Sequence, residues 1–231
     1  DRIGGPVRMA VRLAESLIDR GGFDARDIAL RYLQWWQEGG FDTGPISGRV
    51  FELLAAGIPG NQAAARVHAE VGGLTAGCNP AHRSVALAMC AAVADEQLPD
   101  CAKLEARQTH IHPIAGATAA QVNQVCRGLI RGGEWSAVRV SVAEFLSPPS
   151  SLNPGGYAPD VLRAAVWFID RATSFSEALE LSLRFAGPAN YCPVLVGAIA
   201  GARWGAASVP DAALAHVDLL PRVAAAARPD G

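Results

Sequence analysis

The chain has 231 residues, half of them apolar, and 20 Lys and Arg against 22 Asp and Glu leave a formal net charge of −2. That length suits one large domain with a substantial core, and the near-neutral charge, with Lys103 the only lysine, lacks the basic footprint of a nucleic-acid binder. The longest apolar runs, such as residues 194–200, are far too short to cross a bilayer and no signal peptide is visible. The five cysteines (Cys78, Cys90, Cys101, Cys126, Cys192) never form a CxxC pair, which reads as reduced thiols in a cytoplasmic protein.

Helical spacing starts at once. VRMAVRLAESLIDRGGFD puts Met9, Leu13, Leu17 and Ile18 on one face and stops at Gly21 and Gly22. DARDIALRYLQWWQEGG repeats the design, with Asp24 as N-cap and Ile28, Leu30, Leu33 and Trp36 as core positions. Further helices are expected over 45–56, 61–71, 83–94, 101–108, 113–131, 141–146, 159–173, 176–185 and 193–205. No segment sustains strand alternation; SAVRVSVAEF comes closest and is short. The expected architecture is all-α, a single compact multi-helix domain over residues 1–231, with a loop at 147–157 as the one flexible insertion and a fraying AAAARPDG end.

Small and polar residues concentrate in turns that open onto helices: GGPVRM (4–9), FDTGPISGR (41–49), GGLTAGCNPAHRS (72–84), GPANYCP (187–193) and QTHIHP (108–113). Free N–H groups and the positive dipole end at several helix N-termini would suit a phosphate-bearing ligand if they converge on one cleft. Ordinary helix connections with ordinary caps are the plainer account of the same turns. His110 and His112 form an H-x-H pair with no visible third ligand, so capping plus a ligand contact is expected rather than a metal site. Cys192, beside Tyr191, and Cys78 sit where a thiol could be activated, but packing is the expected role of both. Asp42 and Thr43 are expected to cap the helix that begins near Pro45.

Taken in order, these stretches resemble the ADP-ribosylglycohydrolase family. The residues that carry the resemblance are MAVRLAESLIDRGGFDARDIALRYLQWWQEGGFDTG, AGCNPAHRSVALAM, THIHPIAGATAAQVNQVCRGLIRG and VGAIAGARWGAASVP. The resemblance implies an all-α fold and a cleft for ADP-ribose, in which two magnesium ions hold the ribose and position the attacking water. By matching motifs it places Gly77, Cys78, Asn79 and His110 among ligand-binding positions, with Asp42 and Thr43 near the cleft. Arg83 is expected to be a buried structural cation. The chain departs from the family where the metal is held. Gly4, Gly5, Pro6 and Val7 stand at the first aspartate motif, and Gly187, Pro188, Ala189, Asn190 and Tyr191 at the second. The magnesium ligands of both motifs are therefore expected to be absent. Asn79 replaces a glycine and His82 a methionine, which changes the pocket's shape.

Two functions follow. The first is a degenerate family member without the dinuclear magnesium site, binding an ADP-ribose-like small molecule or a protein partner. The second is a hydrolase of ADP-ribosyl or other N- or O-glycosidic bonds, with a site rebuilt around Asn190, Tyr191, Cys192, Cys78 and His110. A chain that starts at Asp1 leaves room for an upstream segment with acidic residues, which is one way the second function survives.

Overall fold

A computed structural model describes residues 4–146, 152–186 and 190–211. Among these residues the chain is helical, and its only β-pairing is an isolated bridge between Gly77 and Tyr157. The order is α1 (Gly5–Arg20), α2 (Ala25–Gln37), α3 (Gly44–Ala55), α4 (Gly60–Glu70), α5 (Asn79–Arg83), α6 (Ala86–Met89), α7 (Leu98–Ala106), α8 (Pro113–Ile130), α9 (Trp135–Val138), a 3-10 stretch (Arg139–Phe145), α10 (Ala158–Arg171), α11 (Phe175–Ala186) and α12 (Tyr191–Trp204). The expected 147–157 loop is described only from Leu152 onward, and the expected fraying end lies outside the described residues.

The helix stops are chemical. Gly21 takes the left-handed conformation (φ 64°) after α1, and its N–H returns to the carbonyls of Ile18 and Leu17. The Asp24 side chain accepts from the N–H groups of Arg26 and Asp27, capping α2. Proline sits in the first turn of α1, α3, α5, α7, α8 and α10, where its missing N–H costs nothing.

α8 is the central element. It packs against α5, α6, α7, α10 and α12, and eleven of its residues are buried, among them Ala115, Ala119, Val122, Val125 and Cys126. The main core joins Met9, Leu13 and Leu17 of α1 to Ile28, Tyr32 and Trp35 of α2 and to the inner faces of α8, α10 and α12. Two expected core positions are corrected: Ile18 is 40% and Leu30 56% exposed. On α2 the buried line is Ile28, Tyr32 and Trp35, with Leu33 only part-buried, so its aromatic residues take the place assigned to the two leucines.

The expected helix over 83–94 is also corrected. It breaks into α5 and α6 followed by turns. Its carbonyls are claimed from the side by Arg127 of α8, whose guanidinium donates to Leu87, Ala88, Cys90 and Val93 as well as to the Asp95 carboxylate. Asn123 of α8 accepts from the Ala88 N–H and donates to Ser84 Oγ. Carbonyls held this way have no need of a continuing helix. The expected helix at 141–146 is instead part of the 3-10 stretch, with Val142 off helical geometry (φ −122°, ψ 21°).

Arg83, fully buried, anchors α5. Its Nε donates to Glu105 Oε1 at 2.6 Å, its Nη2 donates to the Glu105 carbonyl, and Tyr32 donates its hydroxyl to the same carboxylate oxygen at 2.8 Å. The guanidinium lies 5.3 Å from the Tyr32 ring centroid. The buried structural cation expected of Arg83 is thus seen, with α7 and α2 as its partners. Removing one partner strands the other charge in the core, so Arg83→Met should destabilise the chain by about 3–5 kcal/mol. The paired change Arg83→Met with Glu105→Leu should recover much of that loss in urea titrations.

Candidate functional site

Two adjoining hollows open where α1, α3, α5 and α12 begin. The larger, about 540 Å³, is lined by Gly4, Pro6 and Val7 from α1 and its cap, by Asp42 and Gly44, by Asn79 and His82 of α5, and by Asn190, Tyr191 and Val194 of α12. The smaller, about 160 Å³, lies between Thr43, Pro45, Ile46, Gly77, His110 and Gly156. Gly44, Cys78, Asn79 and Tyr191 line both.

Glycine makes the close approaches. A Cβ on Gly5 would come within 2.4 Å of the Asp42 carbonyl oxygen, so α1 starts with its backbone pressed against the Phe41 and Asp42 backbone. A Cβ on Gly4 would lie 2.7 Å from Asp42 Oδ2, and Asp42 is itself in the left-handed region (φ 55°). The Asp42 carboxylate therefore turns back over the start of α1. The capping expected of Asp42 and Thr43 is corrected: Thr43 is the N-cap residue of α3, but α3 receives no side-chain cap. The reason is that Asp42 faces α1, and the Thr43 hydroxyl donates to the Gly44 carbonyl at 3.4 Å.

The Asn79 amide is oriented by its neighbours. Its Nδ2 donates to the Thr43 carbonyl and lies 3.5 Å from Ser47 Oγ. Its Oδ1 is buried without a partner. One turn on, His82 is 8% exposed and its Nε2 is likewise buried without a partner. The Tyr191 ring stacks on His82, centroids 6.5 Å apart and planes 24° from parallel. Burial pushes the His82 imidazole down to about 4, partly offset by a hydrogen bond with the Tyr191 backbone. His110, paired through Nδ1 with Thr109 Oγ1, is pushed down to about 3 by burial and by the nearby Arg83 charge. Both rings are neutral near pH 7. Burial also pushes the Cys78 and Cys192 thiols up to about 12, far from a thiolate.

The fold brings Gly77, Cys78, Asn79, His110, Asp42, Thr43, Asn190 and Tyr191 together at these hollows. Cys192 lines neither, because the first turn of α12 directs it into the core, where it is 3% exposed. Gly187, Pro188 and Ala189 lie outside the described residues. In sequence His82 shows only as a replacement that changes the pocket's shape, and Gly156 has no assigned role. The NPGGY run carries a signal for the second: a Cβ on Gly156 would meet the Tyr191 ring at 3.3 Å, and the Gly156 carbonyl accepts from the Cys78 N–H. His112 caps α8 by accepting from the Ile114 N–H, apart from these hollows. Among the described residues no three or more His, Cys, Asp and Glu side chains gather where they could hold a metal ion.

A model of the ADP-ribosylglycohydrolase family matches residues 6–229. The chain is 24% identical to ADP-ribosyl-[dinitrogen reductase] glycohydrolase of Rhodospirillum rubrum, over 94% of this chain and 74% of that protein. A solved structure described as an ADP-ribosylglycohydrolase-related protein complex superposes with a TM-score of 0.73 at 28% identity, over 96% of this chain and 78% of that one.

The two lowered imidazoles set a pH dependence. Because their folded values lie below the ordinary 6.5, the unfolded chain takes up protons first as pH falls. Stability should hold above about pH 7 and decline from 6.5 through 4. Melting temperatures across that window should show the decline, and His110→Gln should flatten it.

Proposed function

The chain belongs to the ADP-ribosylglycohydrolase family, and from that premise we propose that it acts in the cytoplasm as one domain over residues 1–231. In this reading its cleft binds an ADP-ribose-like ligand without dinuclear magnesium chemistry. The observation that carries this reading is the donor set. Asp42 is the only formally charged side chain among the described residues that line the two hollows. Magnesium demands a near-octahedral oxygen shell anchored by carboxylates. One carboxylate, two carboxamides and two neutral buried imidazoles do not fit a pair of such ions. Gly4, Pro6, Val7, Asn190 and Tyr191 line the cleft where the resemblance implies the metal-holding aspartates.

What remains suits binding. The first turns of α1, α3 and α12 begin at the cleft with no side-chain cap on their N–H groups, which favours the oxygens of a phosphate-bearing ligand. The Tyr191 ring is 39% exposed beside Gly156 and offers an aromatic face. No thiol in the cleft is poised to attack, since burial keeps Cys78 protonated.

Calorimetry with ADP-ribose in EDTA and again in excess magnesium tests the proposal. Binding heat in both, with an affinity that magnesium does not change, is the expected result. Release of ADP-ribose from an arginine-modified protein, abolished by EDTA, would overturn it in favour of a magnesium-dependent hydrolase.

A further inference from the structure

We propose that the floor of the cleft is a metal-independent subsite for the neighbouring hydroxyls of an uncharged sugar ring, which donate to Asn79 Oδ1 and His82 Nε2. The proposal rests on the reading that this cleft is the ligand site, and adds the chemistry that the floor selects. Both atoms are buried without a hydrogen-bond partner, a state that native proteins avoid and a bound group relieves. The polarity of each is fixed. Asn79 cannot turn its amide, because Nδ2 is engaged by the Thr43 carbonyl. The neutral His82 ring meets the Tyr191 backbone through its other nitrogen, which leaves Nε2 as an acceptor. Standing at i and i+3, the two side chains share one face of α5, with Cβ atoms about 5–6 Å apart, a span that adjoining hydroxyls bridge.

The floor, unlike the helix N-termini around it, favours an uncharged donor. A carboxylate or phosphate on the floor would set its oxygens against two acceptors and the Asp42 carboxylate. An ammonium would find the Asp42 carboxylate and both acceptors but would also face the positive ends of α1, α3 and α12. A hydroxyl meets both demands, donating to the acceptors while its lone pairs accept from backbone N–H groups. The Tyr191 ring stacks on His82 and the two acceptor atoms are buried, so that ring must move aside for the sugar to reach the floor.

Titration calorimetry in EDTA with ribose 5-phosphate and 2-deoxyribose 5-phosphate tests this. The ribose compound should bind at least about tenfold more tightly, the effect of one lost hydrogen bond. His82→Phe and Asn79→Leu should each bring it down to the deoxy level. His82→Gln, which keeps an acceptor, should preserve the discrimination and serves where the phenylalanine variant does not fold. Equal affinity for the two sugars, or binding of ribose 5-phosphate only when magnesium is added, overturns the subsite. Tight binding of ADP-ribose that is indifferent to His82→Phe also overturns it, while leaving the nucleotide reading intact. Discrimination between the two sugars without any binding of ADP-ribose upholds the subsite and overturns that reading.

Discussion

The buried contact between Arg83 and Glu105 is the constraint on which the rest of the cleft depends. Charges in a protein interior are costly unless paired, and here the Tyr32 hydroxyl donates to Glu105 and the Tyr32 ring lies near the guanidinium, while Arg83 Nη1 and Glu105 Oε2 are buried without a hydrogen-bond partner. The contact fixes the five-residue α5 against α7 and α2. A helix that short has no stability of its own, so its position is decided by its anchor. Asn79 and His82 project from that pinned turn into the cleft, and the α1 and α12 termini close around them.

Arg127 has the corresponding role for the segment that follows. By taking the carbonyls of Leu87, Ala88, Cys90 and Val93, it lets the chain after α5 leave helical geometry without orphaning backbone groups. α6 is four residues long and the segment then turns toward α7. α8 therefore contributes a polar clasp as well as an apolar face, and the chain from Ser84 to Asp95 follows the outline of that clasp.

Much of this is legible in the sequence, for identifiable reasons. Long amphipathic helices such as α1, α2, α8 and α10 carry enough turns for periodicity to speak, and glycine, aspartate and proline mark their ends. The turns that converge on the cleft announce themselves by composition, and the order of their motifs points to the family. The break after Arg83 is hidden because its cause is Arg127, some forty residues away, and no local signal encodes a distant guanidinium. Periodicity misplaces Leu30 and Ile18 because a run such as ALRYL has apolar residues all around it, and only packing selects Tyr32 over Leu30. The position of Asp42 in sequence suits a helix cap; its left-handed backbone turns it toward α1 instead. His82 shows in sequence only as a replacement, since the lack of a partner at its Nε2 is a property of three-dimensional surroundings.

The adjacency of His82 and Arg83 has a consequence for how such a protein changes over time. Neighbouring residues on one short turn face opposite ways, one toward the cleft and the other into the scaffold. Substitutions on the cleft side can accumulate without loosening the anchor, because the Arg83 ion pair does not register what its neighbour has become. A lineage can thus exchange the reactive contents of its cleft while inheriting the frame unchanged.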